Sequence, residues 1–244
     1  MIRTIAAVTI RSLLSRRRSL LLALLALLPI AVALLVRLSG RVGPGLDAIT
    51  DIVLDRLVIT TLVPLAALVF GTTALGAELD DGTAVFLLVK PIARWRIVAA
   101  KLAVAVTLTV LLTAPAALLA GTILLADGPG MAVPIGAAVG TAVGAATYAT
   151  IFLALSLITT RALPMGLVYV LVWEGILAGL FEGTRVLSVR QYALGIAGAI
   201  GHPGDPNPSL LDGRTALLLA ALAVGIAVAI AVRRLITFEI GEAD

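Results

Sequence analysis

The sequence predicts an all-α polytopic membrane protein with six transmembrane helices, and three observations carry that prediction. Hydrophobic residues make up 61% of the 244 and charged residues only 13%, whereas a water-soluble domain carries about a quarter charged. Six stretches approach or exceed the ~20 apolar residues that a helical crossing needs, at 19–36, 57–77, 97–126, 133–160, 164–181 and 215–232. Lys and Arg also segregate between the connections, twelve on the side of the termini against six on the other, the six being Arg37, Arg41, Arg56, Arg185, Arg190 and Arg214. An even number of crossings puts both termini on one side, and the basic excess makes that side cytoplasmic. The expected location is therefore the plasma membrane, multi-pass, with both termini inside. The chain reads as a single transmembrane domain over 1–244.

The first element precedes the first span. Within residues 1–18, Ile2, Ile5, Ala6, Ile10, Leu13 and Leu14 recur at helical spacing while Arg3, Arg11 and Arg18 fall elsewhere. That pattern suits an amphipathic elbow helix in the cytoplasmic interface; a solvated basic lead that only orients the first span is the alternative. The apolar run that follows exceeds a signal-peptide core, so the first span is read as retained.

Between the second and third spans, several charges stand at ordered spacing among apolar residues, in GAELDDGTAVFLLVKPIARWRIVAAKL. The second span runs out into Glu78, Asp80 and Asp81, and Gly82 permits a sharp turn. Thr83, Ala84, Val85, Phe86, Leu87, Leu88 and Val89 then form an apolar piece too short to cross a bilayer. Lys90 and Pro91 end it, and Arg94, Arg96 and Lys101 lead basic into the third span. A short apolar helix on the cytoplasmic surface is a docking element for a groove in a partner.

In the fourth span Gly136, Gly140 and Gly144 line one helix face, and Gly175, Gly179 and Gly183 repeat the spacing in the fifth span and its extension. Such faces allow close backbone approach, either within the chain or across a dimer. Pro29, Pro64 and Pro115 fall inside spans and are expected to kink or unwind them, whereas Pro134 and Pro164 suit helix starts. Glu174 lies deep in the fifth span, where a carboxylate costs a few kcal/mol unless paired, hydrated or protonated. It is either a polar element of a substrate path or dimer interface, or an internal hydrogen-bond acceptor.

The connection before the last span is about thirty residues long, and Val186, Val189, Ala193, Ile196, Ala197 and Ile200 recur on a helical repeat within it. This predicts an outer interfacial or re-entrant helix, or an ordinary loop helix packed on the bundle.

Several function classes lose their chemistry. There is no cysteine, and His202, the single histidine, stands in the Pro- and Gly-rich stretch GHPGDPNPSLLDG, so metal-ligand sets and histidine-dependent hydrolysis have no residues to draw on. No cofactor is expected in this chain, and it is not read as an enzyme. The basic excess is accounted for by topology, and no aromatic-interleaved basic patch marks a nucleic-acid surface. The hydroxyls of Thr60, Thr61, Thr107, Thr109, Thr113, Tyr148, Thr150 and Ser156 suit an apolar or amphiphilic cargo better than a charged one.

In Glu78, Gly82, Thr83, Leu87, Leu88, Pro91, Arg94 and Lys101 the chain resembles the permease subunits of ABC-2 type ATP-binding-cassette exporters, and the likeness extends to length, six spans, elbow helix and long last outer loop. The resemblance implies that 83–89 is a coupling helix contacting an ATPase subunit, present in two copies. It also implies that a second permease, identical or related, completes the translocation path within the membrane lipid. Glu78, Arg94 and Lys101 would be gate or interface charges. No G-x-x-x-x-G-K-[ST] stretch occurs, so ATP and Mg would bind the partner. A non-transporting membrane scaffold would share the spans but has no need for the coupling segment.

Overall fold

The computed structural model describes residues 17–40, 45–80, 93–126, 130–178, 182–202 and 211–237. The expected elbow helix lies outside the described residues up to position 16, and the coupling segment 83–89 lies outside them entirely. The described residues are helices joined by turns, with no strand among them.

The first span is α1, Arg17–Leu38, with Pro29 inside it. The second is one continuous winding of three parts: α2, Leu46–Asp51, a π-wound stretch Ile52–Leu62, and α3, Val63–Asp80. It begins at Leu46, not at the expected 57, because Asp47, Asp51, Asp55 and Arg56 interrupt the apolar pattern without interrupting the helix. The π winding ends two residues before Pro64, which has no N–H to give to an α-helical bond. Inside it the hydroxyl of Thr61 donates to the carbonyl of Arg56, five residues back.

The third and fourth spans are α4, Arg94–Leu124, and α5, Ala132–Ser156. At 1.5 Å per residue α4 is about 46 Å long, well beyond the ~30 Å hydrocarbon thickness. The last span is α8, Gly213–Thr237. Among the described residues five helices are thus long and apolar enough to cross a membrane, and this is a multi-pass membrane protein.

Of the expected span at 164–181 the structure describes residues 164–178. Its described part is α6, Ala162–Val168, followed by a second π-wound stretch, Tyr169–Leu177. These seven α-helical and nine π-wound residues cover at most about 24 Å of the ~30 Å hydrocarbon thickness, and 179–181 lie outside the described residues. Pro164 sits in the first turn of α6, where a missing N–H leaves no bond unmade.

The core sits around α5. Within its most apolar window 61% of the residues are buried, against 22% in the windows of α1 and α8, so α5 is the central helix and those two are peripheral. Small residues make this possible: a Cβ on Gly71 would stand 2.8 Å from the carbonyl oxygen of Ala149, and one on Gly121 3.2 Å from Pro134 Cα. Tyr148 and Phe152 of α5 stack at 5.9 Å, and Phe152 meets Tyr169 edge-on at 6.2 Å. The leucine-rich outer faces of α1 and α8, including Leu24, Leu35, Leu218 and Leu222, stay exposed, a surface suited to hydrocarbon.

Candidate functional site

The element that organises the site is α7, Val189–Gly201, reached through the 3-10 turn Glu182–Leu187. It packs on the glycine face of α5. A Cβ on Gly136 would lie 2.5 Å from the carbonyl oxygen of Ala197 and 2.8 Å from the nitrogen of Gly201. One on Gly140 would collide with the carbonyl oxygen of Ala193, and one on Gly144 would stand 3.0 Å from its Cβ. The Gly136, Gly140 and Gly144 face therefore packs within the chain, backbone against backbone. The other glycine repeat behaves differently: Gly175 meets only Val170 of its own helix, Gly183 has nothing within 4 Å, and Gly179 lies outside the described residues.

These contacts fix direction and depth. As α5 numbering rises from 136 to 144, α7 numbering falls from 201 to 193, so the helices are antiparallel. The first turn of α7 is then level with the middle of α5. A helix that starts there exposes its first N–H groups where no water can satisfy them.

Glu174 meets that need. It is 3% exposed and stands in the π-wound stretch Tyr169–Leu177. Its Oε1 accepts the N–H of Val189 at 2.9 Å and the hydroxyl of Tyr169 at 3.2 Å, and its Oε2 accepts the hydroxyl of Ser188 at 2.6 Å. The Ser188 oxygen in turn accepts the N–H of Gln191 at 3.3 Å as the local N-cap. The hydroxyl of Tyr148 faces the same carboxylate from α5. A negative group at a helix N-terminus is favoured by the unpaired N–H groups and the helix dipole together. Both carboxylate oxygens of Glu174 are thus occupied by donors of this chain.

A second acid reaches the same turn. Asp55, in the stretch Ile52–Leu62, accepts from Arg190 Nη2 at 3.0 Å on Oδ2 and at 3.2 Å on Oδ1. It also accepts the hydroxyl of Thr60 at 3.0 Å. The two side chains keep 30% and 27% of their surface. Sequence reading does not single out Asp55, since its partner is 135 residues away. Acids at both π-wound stretches are the signal that a structure supplies and a hydropathy pattern does not.

The charges expected at a gate lie elsewhere. Lys101 of α4 is 2% exposed, and α4 packs there beside α3 and α8 through Ile97, Val98, Leu75 and Leu235. Arg94 donates to the carbonyl of Leu235 at 2.5 Å, joining the start of α4 to the end of α8. Glu78 stands in the last turns of α3, its side chain outside the described set.

Residues 14–181 match the family described as ABC-2 family transporter protein. The chain belongs to that family. The match spans more than half of it and includes α1 to α6, Glu174, and the connection from Glu78 to Lys101. An ABC-2 family transporter protein is a membrane transport component and supports a permease role in an ABC transporter, a class that works with an ABC ATPase. The match stops before α7, so the seat of that helix is a feature the family assignment does not supply. A search of curated proteins found no match.

Proposed function

We propose that this ABC-2 family protein is the permease subunit of an exporter that moves an apolar or amphiphilic substrate across the plasma membrane. Two copies of a separate ATPase subunit bind and hydrolyse ATP with Mg, and a second permease completes the path. The observation that carries the reading is the family match, because it runs through the connection holding Glu78, Gly82, Thr83, Leu87, Leu88, Pro91, Arg94 and Lys101. In this reading residues 83–89 dock in a groove of the ATPase, and Glu78, Arg94 and Lys101 are charges at the cytoplasmic gate. Burial of Lys101 supports that role, since a membrane-buried cation needs a functional or structural partner.

The state of the intramembrane hydroxyls supports an apolar cargo. Thr109, Thr113, Thr147 and Thr150 each donate to a carbonyl four residues back in their own helices. Their polarity is spent locally. Glu174 is engaged in the same way at α7, which favours a role in holding that helix over one in contacting cargo.

The test is co-purification of the ATPase subunit with the wild-type chain and with Phe86→Asp and Leu87→Asp. A charge placed in a desolvated groove costs several kcal/mol. The ATPase is expected with the wild type and lost or much reduced with both variants, while the variants stay inserted. Equal recovery in all three would remove the docking assignment.

A further inference from the structure

Two acids sit on π-wound stretches that belong to different spans. Each accepts a hydroxyl across one π turn, Thr60 to Asp55 and Tyr169 to Glu174, residues five apart in both cases. Each also accepts from consecutive residues of one turn, Glu174 from Ser188 and Val189 and Asp55 from Arg190. That turn is the start of α7, which the glycine face fixes to α5.

π winding is rare and persists only where its surroundings hold it. Rewinding either stretch as an α-helix would rotate the residues on one side about the axis and separate the acid from its partner five residues away. The winding and the grip on α7 are therefore one equilibrium. We propose that Asp55 and Glu174 are paired positioning residues for transport, which clamp the Ser188–Arg190 turn from two π-wound stretches so that the second span and the 162–177 helix stay in register with α7 and α5. The claim that this matters to transport rests on the permease reading; the clamp itself does not. Of the two grips, Glu174 is the buried one and Asp55–Arg190 the more exposed.

The chain has no cysteine, and Ile52 and Leu187 are exposed, 49% and 62%, so spin labels at Ile52→Cys and Leu187→Cys report the distance between the second span and the turn before α7. In nanodiscs the otherwise wild-type chain should give one narrow distribution. Asp55→Ala and Glu174→Gln should each shift or broaden it, and the exchange Asp55→Arg with Arg190→Asp should restore the narrow one. If neither single variant changes the distribution, or the exchange leaves it as disturbed as Asp55→Ala, the clamp is overturned. In the complex with the ATPase, Asp55→Ala should change the rate of ATP hydrolysis several-fold at unchanged co-purification, and the exchange should bring it back. Distances that respond while hydrolysis does not would overturn the role in transport. Failure of the wild-type chain to bind or stimulate any ATPase strikes the permease reading instead, and the distances still decide the clamp.

Discussion

The hydroxyl of Ser188 donates to Glu174 Oε2 at 2.6 Å, across fourteen residues of sequence and beside the first N–H of α7. The pair closes a helix start at mid-depth of the central helix, where an open one would leave backbone donors without water.

Replacing Glu174 with leucine strips the acceptor from Ser188, Val189 and Tyr169 at once. Each orphaned buried donor costs about 1–3 kcal/mol, so Glu174→Leu should lower the thermal midpoint of the purified chain strongly. Glu174→Gln keeps one acceptor oxygen and should lower it less. Thermal unfolding in detergent ranks the three; a leucine variant as stable as wild type would contradict the capping role.

The two glycine repeats should respond in opposite ways. Gly140→Ala drives a Cβ into the carbonyl of Ala193, and forcing the helices apart should cost about 1–3 kcal/mol. Gly175→Ala meets only ordinary contact at 3.6 Å, and its helix gains propensity, so stability should hold or rise by roughly 0.5–1 kcal/mol. The same unfolding measurement checks both, and equal losses would show that the α5 face is no special seat.

Composition and periodicity were enough for the class, for the spans that became α1, α4, α5 and α8, and for the presence of a helix before the last span. They left open how α7 packs, because a Gly-x-x-x-Gly face is the same whether its partner is in the chain or in a second copy. The seat became visible only through the approach of Ala193 and Ala197 to that face. The start of the second span was misread for a related reason. The apolar run begins only at Leu57, and what holds Asp55 inside the longer helix is Arg190, distant in sequence and adjacent in space. Nothing in the apolar pattern marks a π winding: 52–62 and 169–177 are mainly hydrophobic stretches with an acid in each, and their periodicity does not separate π from α winding. Glu174 could be singled out by depth alone, but not its donors Ser188 and Val189, which stand fourteen and fifteen residues on at the start of α7.

The distribution of Lys and Arg makes a prediction about sides. In the cysteine-free chain, a cysteine at exposed His202 should react with a membrane-impermeant reagent in intact cells, and one at exposed Arg96 only after permeabilisation. The reverse pattern would invert the topology and move 83–89 away from any cytoplasmic ATPase.

Hydrolysis by the partner tests the permease reading most directly. With the chain in nanodiscs, the steady-state ATP turnover of its associated ATPase subunit is measured and compared with that of the ATPase alone. The account predicts a stable complex whose turnover differs from the free ATPase by several-fold, with the difference lost in Phe86→Asp. A wild-type chain that leaves the ATPase unbound and its turnover unchanged would contradict it.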